Sequence, residues 1–127
     1  VSADNGIYIL KTKDQYRVIH AQAIDNLSWS HIKRNSQREM ISTRIVEYYG
    51  NSRYTRDVEI AQKVAFAMSK RYPVLEYGIS ILRINKTWNQ IIKEAKELAP
   101  KEIEVLKSRN DGRWDWDIER LEEILKM

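Results

Sequence analysis

The chain has no cysteine, and among its 127 residues there are only two prolines, four glycines and one phenylalanine. The missing cysteine excludes disulfides, thiol nucleophiles and cysteine-based zinc sites, and it suits a reducing cytosol. No apolar run approaches the roughly 18–20 residues that a membrane span needs. The opening residues Val1-Ser2-Ala3-Asp4 carry neither a basic nor an apolar leader region, so the expected location is the cytoplasm. Phosphate-cradling motifs of the G-x-x-x-x-G-K-[ST] or G-x-G-x-x-G type are missing, as is a G-x-S-x-G nucleophile elbow. The two histidines, His20 and His31, form no H-x-x-x-H pair. The expectation is a binding protein with no metal, no cofactor and no catalytic residues.

What is present is an ordinary core supply and an uneven charge distribution. Hydrophobic residues make up 43% and charged residues 31%, enough to build one domain over residues 1–127. From Ser28 to Arg56 six basic residues face two acidic ones, and from Arg83 to Arg113 eight face five. The tail from Trp114 to Met127 reverses this, with five acidic and two basic residues. Two basic segments fit an anionic partner and equally fit solvated helix faces.

The periodicity predicts the order β-β-α-α-β-α-α. Gly6–Lys11 and Tyr16–Ala23 read as a hairpin around Thr12–Gln15, with Val18, His20 and Gln22 sharing one face. Asn26 to Asn35 reads as a loop. Ser36 with Glu39 forms a capping box, and Ile41, Ile45, Tyr48 and Tyr49 follow at helical spacing to a stop at Gly50. A second helix starts near Thr55, carries Val58, Ala61, Val64, Ala65 and Met68, and ends by Pro73. Val74–Ile84 reads as a third strand with Gly78 as a bulge. Thr87 with Gln90 opens a helix that Pro100 kinks or divides, and Asp117 is the expected cap of a last short helix. The fold class is α+β: a small antiparallel sheet, the hairpin plus a third strand, packed with helices.

The densest chemistry lies in Arg109-Asn110-Asp111-Gly112-Arg113-Trp114-Asp115-Trp116. Guanidinium forks suit phosphates and indole rings suit bases. The same octapeptide also reads as two tryptophan anchors with arginines paired to carboxylates. His20 and Gln22 either line a pocket or sit on the wet side of the sheet.

Several blocks resemble one family in order along the chain: Asp4-Asn5-Gly6-Ile7-Tyr8-Ile9-Leu10, Tyr16-Arg17-Val18, His20-Ala21-Gln22-Ala23-Ile24-Asp25-Asn26, Glu47-Tyr48-Tyr49-Gly50 and Leu75-Glu76-Tyr77-Gly78-Ile79. They are similar to the first-described Thoeris anti-defence proteins of bacteriophages and prophages. The resemblance implies a sponge that binds a cyclic ADP-ribose isomer, the alarm signal of a TIR-domain enzyme, without cleaving it. It implies homo-oligomers of dimers or more, a place in the cytoplasm of the infected bacterium, and in some members binding of cyclic oligonucleotides. The family's ligand-binding arginines match Arg109 and Arg113, and Trp114 stands in for its stacking aromatic. The candidate ligand set is therefore Arg109, Arg113, Trp114, His20, Gln22 and Asn26. The alternatives are a phage nucleic-acid-binding protein acting through the Ser28–Arg56 segment and a direct protein inhibitor of a host enzyme. No membrane partner is expected.

Overall fold

A computed structural model of the chain describes residues 4–22, 42–109 and 112–127. The α+β class holds: among the described residues four helices accompany one four-stranded sheet. The Ser36 capping box, the Asn26 loop with Trp29, Lys33 and Arg34, and Asn110-Asp111 lie outside the described residues. The described residues fall into two compact units, one of residues 4–22 and 48–88, the other of residues 42–47, 89–109 and 112–127.

The first unit holds the sheet. Strands β1 (Asn5–Lys11) and β2 (Tyr16–Gln22) pair antiparallel as the hairpin. A two-residue strand, β3 (Tyr54–Thr55), adds to the outside of β2. The third strand expected over 74–84 is shorter, β4 (Ile79–Arg83), and runs parallel to β1 rather than antiparallel. The sheet is thus mixed, in the order β3-β2-β1-β4. Parallel neighbours need a long connection, and helical segments between β2 and β4 supply it. Gly78 makes no bulge. It has φ +61 and donates its N–H to Leu75 O, so it closes the turn that delivers the chain into β4.

β1 is buried on both faces, as an interior strand should be. Ile7 and Ile9 of β1 and Val18 of β2 form an apolar cluster with Ala61 and Ala65 of helix α2 (Val58–Ser69). Asp57 caps α2, its carboxylate accepting the Glu59 N–H at 2.8 Å. Only part of the predicted stripe is covered, since Val58 and Val64 stay about 40% exposed (42% and 41%). Ile79 and Ile81 continue the Ile7–Ile9 face onto β4 by register, yet each is 44% exposed.

Helix α1 (Ser42–Tyr49) ends just before Gly50, as predicted. In the second unit its first residues meet α3 (Trp88–Arg109), where Ser42 donates to Glu94 at 2.8 Å and Thr43 to the buried Glu102 at 3.2 Å. Ile91, Ala95, Ala99, Ile103 and Leu106 form the buried row of α3. Pro100 does not divide this helix, which runs unbroken for 22 residues; proline removes only the one N–H that would bond back to residue 96. Helix α4 (Asp115–Leu125) starts three residues earlier than Asp117 would require as a cap. Trp114 holds the cap position with no side-chain capping bond to the helix, and Asp117 lies in the first turn, where a carboxylate suits the positive end of the helix.

One buried cation organises the first unit. Arg17 is 7% exposed. Its Nε donates to Gln15 Oε1 at 2.6 Å, and one terminal nitrogen donates to Tyr49 O at 3.2 Å and Ser52 O at 2.6 Å. The guanidinium carbon lies 3.9 Å from the centre of the Trp88 ring. Burial lowers the pKa of this group, with Tyr54 and Asp14 nearby acting in the opposite direction. Arg17→Met keeps the volume and removes the donors, so Ser52 O and Gln15 Oε1 lose the guanidinium, while Tyr49 O keeps the Ser52 N–H and hydroxyl. Urea denaturation should show a loss on the order of 3 kcal/mol; a midpoint shift worth less than about 0.5 kcal/mol would remove Arg17 from this role.

Candidate functional site

The β2 face that carries Val18 carries His20 and Gln22 next. His20 is half-buried, and its ring stacks on Tyr72 with centroids 3.7 Å apart and an interplanar angle of 9°. Tyr72 follows the end of α2 and precedes Pro73. A residue before proline is held out of helical conformation, so the tyrosine leaves the helix and turns back over the sheet.

The stacked pair forms one side of an open groove of about 570 Å3. Tyr48, Asn51 and Ser52 bring the end of α1 to it, Met68 and Arg71 the end of α2, and Gln22 the end of β2. Such a volume lies within the roughly 300–1,000 Å3 usual for small-molecule sites. Arg71 is exposed and makes no ion pair with any described residue. The groove thus offers a guanidinium fork, stacked rings and side-chain amides.

Asn5 sets the orientation of His20. Its Oδ1 accepts the Glu76 N–H at 3.4 Å, which turns Nδ2 toward His20 Nε2 at 3.0 Å. Nε2 is then an acceptor, and the ring proton of the neutral imidazole sits on Nδ1.

The other candidate residues lie in the second unit. The Arg109 guanidinium lies 5.0 Å over the Trp114 ring, so the structure brings these two together. Arg113 is exposed beside Gly112, whose φ of +71 makes the bend before α4. Trp116 is 57% exposed and carries Arg120 at 4.4 Å over its ring, so it is no core anchor. The concavity beside Trp114, of about 440 Å3, is lined by Asp115, Glu119 and Glu122 against Lys107. Its charge repels phosphates. Asn26 lies outside the described residues.

Sequence reasoning placed His20 and Gln22 together but missed Arg71, Tyr72 and Asn51, and it placed Tyr48 only on the helical stripe of α1. The available signal was Arg71-Tyr72-Pro73, a cation and a ring just where proline ends a helix. Among the described residues no three His, Asp or Glu side chains cluster as metal ligands, and no helix is long and apolar enough to cross a membrane. Comparison with protein-family models, curated proteins and solved structures finds no match.

Nitrogen NMR of the imidazole at a pH where His20 is neutral should report the Nδ1–H tautomer. Asn5→Ala should shift the population toward Nε2–H, the form favoured by free imidazole side chains. An Nε2–H tautomer in the unsubstituted protein would refute the Asn5–His20 geometry.

Proposed function

We propose that this chain binds and sequesters a small cyclic nucleotide, a cyclic ADP-ribose isomer in the first instance, without cleaving it. The observation that carries this reading is the groove in which the stacked His20–Tyr72 pair stands beside Arg71, which pairs with no acid among the described residues. A diphosphate takes the planar fork of a guanidinium bidentately. A base takes an aromatic face, and ribose hydroxyls take amides such as those of Gln22 and Asn51. The rings are already stacked, so less ordering accompanies binding, which favours the tight capture that a sponge needs. The resemblance to Thoeris anti-defence proteins supports the same ligand class, and with it action in the cytoplasm of an infected bacterium. It also directs attention to Arg109, Arg113 and Trp114, and extends the ligand class to cyclic oligonucleotides.

Calorimetric titration with cyclic ADP-ribose isomers tests the reading. Arg71→Ala should weaken binding roughly ten- to a hundredfold, the usual loss of a charge-assisted contact, with an unchanged melting curve. Lysine at position 71 should rescue poorly, because it cannot form the fork. Heating the complex should release the cyclic compound intact by mass spectrometry. Wild-type affinity in both Arg71→Ala and Tyr72→Ala would exclude the groove. Losses confined to Arg109→Ala and Arg113→Ala would move the site to that loop. Linear ADP-ribose after heating would make the protein an enzyme.

Self-association belongs to the same proposal. β4 is an edge strand of the sheet, and Ile79 and Ile81 on it, with Val74 and Tyr77 before it, are 44–59% exposed. An open edge with apolar side chains pairs readily with another strand. Light scattering at micromolar concentration should give a multiple of 15.1 kDa, and Ile81→Lys should lower it. A monomer mass for the unsubstituted chain would refute self-association.

A further inference from the structure

At the end of the sheet away from the groove residues, three cations lie close together. Lys11 closes β1, Arg83 closes β4, and the two are direct register partners on the parallel pair. Cross-strand neighbours lie about 4.8 Å apart. They follow Ile9 and Ile81 by two residues each, so both lie on the same face. Like charges in such a position repel. Lys13 on the adjoining turn adds a third cation. The three line a cavity of about 290 Å3 with Thr12, Ile84 and Asn85.

Two backbone bonds fix this arrangement. Ile84 N–H donates to Lys11 O, and Lys13 N–H donates to Lys86 O, each at 2.9 Å. The turn and the end of β4 are therefore tied together. None of the three cations forms an ion pair with a described residue, and Lys11 has only the Tyr16 ring, 6.0 Å from its Nζ. The acidic residue of the same turn is committed elsewhere: Asp14 Oδ1 accepts the Thr12 hydroxyl at 2.9 Å and the Trp88 N–H at 3.0 Å. Burial raises the Asp14 pKa, but these hydrogen bonds and the Arg56 charge outweigh it and hold it below the ordinary carboxylate value. It stays ionised at neutral pH without entering the cation cluster as a partner.

From these observations we infer that the Lys11–Lys13–Arg83 cavity is an anion site for a compact diphosphate group, distinct from the His20–Tyr72 groove. Three positive charges match the two to three negative charges of such a group near neutral pH. The lining contains no aromatic ring, so it offers no stacking platform, and recognition falls on the phosphoryl oxygens. Arg83 supplies the bidentate fork, and the two ammonium groups supply point charges. Bound anion also relieves the Lys11–Arg83 repulsion, an unfavourable local choice of the kind proteins tolerate at functional sites.

The test titrates inorganic diphosphate into the full chain and follows backbone amides by two-dimensional NMR. Saturable shifts should appear at Thr12, Lys13, Ile84 and Asn85 and should weaken as salt rises. Arg83→Gln and Lys13→Gln, both at exposed positions, should each weaken binding roughly tenfold while leaving the fold unchanged. Arg71→Ala should leave these shifts intact, which keeps this test separate from that of the groove. Absence of saturable shifts at millimolar diphosphate, or equal affinity in Arg83→Gln, would overturn the inference. A single-stranded oligonucleotide binding these residues more tightly than diphosphate would also overturn it, because the surface would then track a nucleic-acid backbone.

Discussion

The sheet-bearing unit depends on a guanidinium held out of water. Helix ends leave carbonyls without partners, and the last residue of α1 is such an end. Ser52 answers it through its N–H and hydroxyl, and Arg17 adds a third donor from β2, spanning Tyr49 O, Ser52 O and the Trp88 ring. A buried arginine is tolerated only when its donors are satisfied; here carbonyl dipoles and ring faces take the place of a carboxylate. The bond to Ser52 also fixes the stretch that presents Tyr48 and Asn51 to the groove. The binding chemistry is thus anchored by a residue whose side chain lies on the opposite face of β2 from His20.

Two concavities of the same unit divide polar chemistry differently. Around His20 the groups are rings and neutral amides with one cation, a mixture that reads shape and hydrogen bonds. At the other end of β1 the groups are cations held by backbone bonds, a mixture that reads charge. The separation follows from strand geometry. Alternate residues of β1 run Ile7, Ile9, Lys11 along one face, so the row that builds the core under α2 turns cationic as it reaches solvent.

Local pattern carried much of the fold. The hairpin, the end of α1 at Gly50 and the buried faces of α3 and α4 follow from alternation, helical spacing and punctuation. Three features depended on tertiary partners. The parallel direction of β4 is set by which strand accepts it, and its own residues do not encode that. The continuity of α3 through Pro100 rests on packing of Ala95, Ala99 and Ile103, which outweighs one missing bond. The capping of Trp88 N–H by Asp14 joins residues that no local window contains. For the candidate site, His20 and Gln22 were legible by alternation, whereas Arg71 and Tyr72 required knowing where α2 delivers the chain. Arg109 and Trp114 are adjacent as composition suggested, but the carboxylates beside them come from the next helix turns.

The bond from Asp14 to Trp88 bridges 74 residues. Closing a chain segment of that length costs roughly 4 kcal/mol of entropy before contacts compensate it. The hairpin of β1 and β2 carries only about a third of that cost, because its strands are joined by a four-residue turn. Assembly therefore has a natural sequence. The hairpin and α2 can come together first, and β4 with the start of α3 docks last, when Asp14 and the β1 edge are both in place to receive it. Until that moment Ile7 and Ile9 have an unpaired neighbouring edge, so the nascent chain is most exposed to pairing with a foreign strand during this interval.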